Sequence, residues 1–391
     1  MSEPLRSVLL DRPRDVDVVA IERELTQVWE QSAATGDSEN SSPIVRACAM
    51  NLIVVTEEES GLDELANSMG DLTVEHPNRS FIVCADRDRK EPALDAWISV
   101  RCSLPVAGNG SQEEQAKQVC CEQVTLKATG EDAAKLPSVI TSLLIPDVPT
   151  VLIWKGEVDS RDEVLLSLIK ICDRVLIDSS EDPNPERRMV AWGNLFGSSS
   201  NDAAPGDLSW THAGTWRSLI ADAFQPMEVR QHLPAIDSVS IRYSSRLATP
   251  HSGLSQALLL VGWIAHALHW MSARPLQHWE GKGYSGLARL GDQTIQVRIF
   301  PVDDGVQQLG EIESVALHST KGLELLFGTT DSRDCVRLVR RTSTGSVVER
   351  VISVRNQTET ELLSAELEEL HADELYQGSM KSLLGLFGSG K

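Results

Sequence analysis

Apolar residues recur with two different periods along this chain, and the change of period marks its organisation. Val18, Ile21, Leu25 and Val28 or Trp29 follow helical spacing and predict an amphipathic helix over 17–31. A strand is expected over 47–55, a helix over 62–69 and a strand over 80–85. Two further strands follow, over 94–102 and 120–128, on either side of the polar stretch 108–115. Leu136 to Leu144 reads as a helix, with Pro137 suited to its first turn. A strand over 150–154, a helix over 160–172 and a strand over 174–178 complete this half. From Thr294 onward the runs TIQVRIF, EIESVALHS, GLELLFG, CVRLVRR and SVVERVISV are short and often alternating. Gly, Asp and Ser break them, which is the pattern of antiparallel strands with one wet face.

Strands separated by helices imply a mostly parallel sheet with right-handed crossovers. The expected fold is therefore an α/β N-terminal domain over 1–200 and an α+β C-terminal domain with an antiparallel meander over 207–391. GSSSNDAAPGD (197–207) has the composition of a linker between them, and TGDSENSSP (35–43) that of a loop. In the second half, helices over 215–224 and 253–270 bracket a strand over 239–243, and a helix over 359–376 carries an acidic face.

Charge narrows the function classes. The 36 basic and 57 acidic residues give a net charge of −21. That balance disfavours general binding to nucleic-acid phosphates or anionic membranes, both of which require a cationic surplus. The run 254–270 is too short and too polar to span a bilayer. The opening residues MSEPLRSVLLDRPRD lack the apolar core of a signal peptide, so a cytoplasmic protein is expected. Seven scattered cysteines, an odd number, read as reduced thiols, with Cys48 and Cys84 the candidates for any redox role. The vicinal pair Cys120–Cys121 would be strained as a mutual disulfide on a strand.

Catalytic motifs do not emerge. Gly281 to Gly286 matches G-x-G-x-x-G as a string but precedes LARLGDQTIQV, a hairpin context rather than a strand-to-helix turn. His266 and His269 are three residues apart on an apolar helix that supplies no further metal ligand, so hydrogen-bonded roles are expected. Asp147 and Asp178 stand at a turn and a strand end without a nucleophile or histidine in the same motif. No metal or cofactor is implied.

The segment LPSVITSLLIPDVPTVLIWKGE, supported by RACAMNLIVV (46–55) and HPNRSFIV (76–83), resembles the glucose-6-phosphate dehydrogenase assembly proteins, the OpcA family. LSWTHAGTWRSLIADAFQP (208–226) and ALLLVGWIAHALHW (257–270) are similar to later parts of the family pattern, whereas the tail SLLGLFGSGK is not placed by it. The resemblance implies a non-catalytic accessory protein that binds glucose-6-phosphate dehydrogenase and promotes its assembly or activation. His76, Arg79, Asp147 and Trp154, expected at exposed tips of the α/β unit, are then the candidate partner contacts. The competing reading is a sensor or enzyme that takes a sugar phosphate in a pocket of the α/β domain, and it requires a phosphate cradle.

Overall fold

The structure, a computed structural model, describes residues 7–15, 17–35, 44–72, 75–103, 118–197, 202–244, 252–279, 283–302, 312–331, 334–355 and 357–388. The expected loops at 36–43 and 108–115, and Gly281 and Lys282 of the glycine string, lie outside them. The chain divides into two compact units. One comprises residues 1–177, 201–204 and 359–371, the other 178–200, 205–358 and 372–391.

In the first unit the chain runs β1 (Ser7–Asp15), α1 (Val18–Thr35), β2 (Ile44–Arg46), β3 (Met50–Thr56), α2 (Leu62–Asp71) and β4 (Asn78–Asp86). It continues through β5 (Ala93–Ser103), β6 (Gln118–Thr129), α3 (Leu136–Leu143), β7 (Thr150–Trp154), α4 (Glu163–Ile169) and β8 (Arg174–Ile177). The sheet order is β1-β5-β6-β4-β3-β7-β8, parallel from β6 to β8, with β5 and β1 antiparallel at one side. Strands β3, β4, β7 and β8 are buried over nearly all their residues, as parallel strands covered on both faces must be. Continuous apolar runs such as Leu52–Val55 and Val151–Trp154 supply that core.

The second unit begins with a helix absent from the sequence reading, α5 (Pro185–Gly197), and continues from the end of β9 (Ala204–Asp207). Helices α6 (Leu208–His212), α7 (Gly214–Ala223) and α8 (Met227–Arg230) follow, then β10 (Ile236–Ser244) and α9 (Ser252–Ala267). Strands β11 (Met271–His278), β12 (Tyr284–Leu290), β13 (Gln293–Val302), β14 (Ile312–Ser319), β15 (Glu324–Thr329), β16 (Cys335–Arg341) and β17 (Val347–Ser353) complete its sheet. The order is β11-β12-β13-β10-β14-β15-β16-β17, antiparallel except for the β10–β13 pair. The α/β and mostly antiparallel α+β architectures are thus those the apolar periods predict.

Three expectations require correction. The 197–207 stretch is not all linker: Ala203–Asp207 is buried and its last four residues form β9. The helix expected over 359–376 is two helices, α10 (Glu359–Glu368) and α11 (Glu374–Phe387). Asp373 ends the first pattern by accepting the Tyr376 amide as an N-cap, and the unplaced SLLGLFG extends the buried face of α11 through Leu383, Leu384 and Leu386. Finally, Cys120 is disulfide-bonded while Cys48, Cys84, Cys121, Cys172 and Cys335 are free, so not every cysteine is a thiol. The antiparallel register sets Cys102 on β5 opposite Cys120.

Candidate functional site

The sequence-predicted residues fall at opposite ends of the parallel sheet. His76, Arg79 and Asp147 lie at the N-terminal ends of strands, and Trp154 closes the C-terminal end of β7. Only Asp147 meets the expectation of an exposed tip. Trp154, Arg79 and His76 are 0%, 3% and 9% exposed.

Arg79 is buried because three other elements satisfy its fork at once. Its Nε donates to Glu122 Oε2 at 2.7 Å, and its Nη1 donates to Glu22 Oε1 at 2.9 Å and to the Leu143 carbonyl at 2.6 Å. It thereby ties β4 to β6, α1 and the end of α3. A guanidinium can remain charged in a core on such terms, since every acceptor around it is a carboxylate or carbonyl. His76 Nε2 lies 2.7 Å from Ser364 Oγ, which donates in turn to Glu75 Oε2 at 2.7 Å. Helix α10 is held to the same unit by a second buried ion pair, between Arg174 and Glu366, and Arg174 Nη1 also donates to the His371 carbonyl. Glu366 is therefore a core residue, although its segment reads as a solvated acidic face.

The turn Ile145–Pro149 is fixed from below. Asn51 Oδ1 accepts the Ile145 amide at 3.0 Å, while its Nδ2 donates to the Ile145 carbonyl at 3.0 Å and to Thr150 Oγ1 at 3.2 Å. Asp173 Oδ2 accepts the Thr150 amide at 2.8 Å. Held at both flanks, the turn places Asp147 at its tip with φ of 61°, a left-handed conformation that aspartate tolerates better than most residues. The segment LLIPDVPT is in this way a rigid, exposed carboxylate mount.

The opposite, C-terminal end of the strands holds a cleft of about 410 Å³ lined by Glu57, Arg87, Glu157, Asp159, Arg161 and Asp162. From β3 the sheet proceeds to β4 on one side and to β7 on the other, so the cleft sits at a topological switch point, where open α/β sheets take ligands. Its groups are heavily paired. Arg87 Nη1 donates to Asp162 Oδ2 at 2.6 Å, and Arg161 binds Asp159 through Nε and Nη2. Asp162 Oδ1 caps α4 by accepting the Val164 and Leu165 amides. The buried Trp154 holds two of the lining segments, donating Nε1–H to the Glu157 carbonyl at 3.0 Å, with Arg87 5.9 Å from its ring centre. Burial pushes the Glu57 carboxyl above its ordinary pKa.

The first strand-to-helix turn of the parallel sheet decides what this cleft accepts. It reads Thr56-Glu57-Glu58-Glu59-Ser60-Gly61, and Asp63 and Glu64 occupy the first turn of α2. A phosphate cradle needs amides and positive charge at that position; here five carboxylates surround it. The glycine string in the second unit is equally unsuited. A Cβ at Gly283 would come within 2.1 Å of the Ile299 carbonyl oxygen, and one at Gly286 within 2.9 Å of the Leu276 Cα, so these glycines permit close strand packing.

The remaining chemistry is structural. His269, with φ of 55°, follows α9, and the His266 ring fills the space above Gly378 of α11. Among the described residues no group of three or more His, Cys, Asp or Glu is placed to hold a metal ion, and no helix is long and apolar enough to cross a membrane. Burial pushes the Cys48 and Cys84 thiols up, away from the reactive thiolate form.

Comparison with known proteins places the chain. Residues 70–193 match the family described as the glucose-6-phosphate dehydrogenase subunit N-terminal domain, and residues 203–380 match the corresponding C-terminal domain. A protein of Synechocystis named putative OxPP cycle protein OpcA is 26% identical over 81% of this chain and 64% of its own length. One of the same name from Synechococcus elongatus is 25% identical over 79% of this chain and 67% of its own. The chain thus spans about two thirds of the length of these relatives. Among solved structures, an oxidoreductase from Bacillus cereus aligns at 9% identity over 87% of this chain and 96% of that one, with a TM-score of 0.47. With matches in both halves in the order of its two domains, this chain belongs to the OpcA family of glucose-6-phosphate dehydrogenase assembly proteins.

Proposed function

We propose that this protein is a non-catalytic accessory subunit that binds glucose-6-phosphate dehydrogenase and promotes its functional assembly or allosteric activation, at the entry to the oxidative pentose phosphate route. Family membership supplies the partner. The acidic turn Glu57–Glu59 at the switch point carries the non-catalytic part, because it puts carboxylates where a dinucleotide or sugar phosphate would need amides and cations. Activation follows if the protein binds the active form of the dehydrogenase better than the inactive form, since only differential affinity moves such an equilibrium. Asp147 is the proposed direct contact in the α/β unit. His76, Arg79 and Trp154, being buried, act by positioning the surfaces above them.

The alternative, a sugar-phosphate sensor, has one observation in its favour, the two arginines of the switch-point cleft. Both already hold carboxylates.

The test is kinetic. NADP reduction by the dehydrogenase of the same organism should accelerate, or its KM for glucose 6-phosphate fall, on adding an equimolar amount of this chain, and Asp147→Ala should weaken the effect severalfold. Unchanged kinetics would overturn the reading. Saturable binding of glucose 6-phosphate to this chain alone would favour the alternative.

A further inference from the structure

The open face of the eight-stranded sheet is a continuous surface of the second unit with a defined chemistry. Strand residues alternate between faces. One face carries Val239, Ile241, Ile295, Val297, Val315, Leu317, Leu325 and Phe327, all buried. On the other, the register aligns Arg298 with Ser240 and Ser285, Arg242 with Phe300, Leu326 with Ala316 and Val339, and Arg337 with Gly328 and Val351. This second face is wet among the described residues: Arg242, Arg289, Arg298, Arg337 and Arg341 are exposed.

Its charge runs against that of the molecule. A chain of net charge −21 presents here five arginines and His318 against Glu324 and Glu349. The two glutamates are already engaged, Glu324 with Arg341 at 2.8 Å and Glu349 with Arg337 at 3.4 Å. Arg242 and Arg298 stand on adjacent parallel strands in diagonal register, a like-charge neighbourhood that a partner carboxylate would relieve. Apolar side chains lie among the cations. Leu326 is 36% exposed, and Val347 and Val351 are 60% and 59% exposed. Arginine interspersed with apolar residues is the composition of a protein interface, because guanidinium forks bind carboxylates bidentately and desolvate more readily than ammonium.

Size is consistent with docking. Eight strands of about seven residues span roughly 34 by 23 Å, close to the ~800 Å² that one side of a standard interface covers. A second copy fits poorly, since a two-fold contact would lay this arginine-rich face on itself.

We propose that the open face of this sheet is the docking surface for the dehydrogenase, which meets it with a surface that is acidic around an apolar centre. The assignment rests on the accessory reading above and adds the place and the charge of the contact.

The experiment measures the Kd of the purified full-length chain for the dehydrogenase, at two salt concentrations, for wild type, Arg242→Glu, Arg298→Glu, Leu326→Asp and the exposed control Lys170→Glu. The Tm of each variant confirms that it folds. The expected result is at least a tenfold rise in Kd for the three face variants, a smaller salt dependence for the two arginine variants, and wild-type behaviour for Lys170→Glu. If the dehydrogenase binds all variants alike, the docking surface is overturned while the accessory role stands. If wild type forms no complex, both fail together. If the chain self-associates and Arg298→Glu abolishes that self-association instead, the face belongs to a second copy and the proposal is overturned.

Discussion

Individual side chains divide into those that make the fold possible and those left for the surface, and exposure alone does not reveal which is which in a sequence. Arg79 reads as a partner contact at an exposed tip, yet its fork is used up by Glu122, Glu22 and a helix-end carbonyl. The signal that could have found this is Glu122 itself, the one charged residue in the strand stretch VCCEQVTL, which demanded a buried partner. Asp207 is the converse case. It is fully buried; its Oδ1 accepts the amides of Ser179 at 3.2 Å and Ser209 at 3.0 Å, and Asp178 is nearby. Burial first, and the Asp178 charge second, push its carboxyl up to about 7. The folded protein thus holds this proton more tightly than the unfolded chain, whose aspartates titrate near 4. Stability from this group is complete below pH ~4 and is lost as pH rises through about 7, a contribution on the order of 4 kcal/mol. Urea unfolding should therefore show stability falling across pH 4–7, with the fall reduced in Asp207→Asn, which retains the acceptor oxygen. An unchanged slope in the variant would exclude Asp207 as the cause.

At the scale of elements, legibility followed the strength of the pattern. Strands β4, β5, β6 and β7 and helices α2, α3 and α7 lie within a few residues of where the apolar pattern puts them, β4 and β7 through continuous buried runs. Helix α4 is shorter than its apolar run, since Asp162 caps it from inside the predicted span. Strand β9, made of Ala-Pro-Gly-Asp, has no apolar signature at all, and its composition is that of a linker. The packing of α9 on α11 is equally silent in sequence because it depends on glycine. A Cβ at Gly262 would lie 2.7 Å from the Ser379 carbonyl oxygen and 2.9 Å from the Leu383 Cβ, whereas nothing approaches within 4 Å at Gly385. Gly262→Ala should lower stability by about 1–3 kcal/mol through overpacking. Gly385→Ala, also helical, should raise it by about 0.5–1 kcal/mol through reduced chain entropy. Thermal unfolding of the two variants side by side tests this, and a stabilised Gly262→Ala would contradict the close approach of the helices.

For the whole molecule, the two architectures were legible in the change of apolar period, and the family in LLIPDVPT and its companions. The candidate site was legible only in part. Asp147 could be placed from its prolines, but the switch-point cleft is assembled from residues after three different strands, and the basic sheet face from residues two apart on eight. Such surfaces exist only once the register is known. A net charge of −21 likewise hides a local surplus of arginine, because composition sums over faces that point in different directions. Binding of a dehydrogenase is the way we propose this protein acts. Sedimentation of the two purified proteins, alone and mixed, measures it most directly. The mixture should contain a stoichiometric complex heavier than either component that weakens with added salt. Two independent boundaries at every concentration, with each protein sedimenting as it does alone, would contradict it.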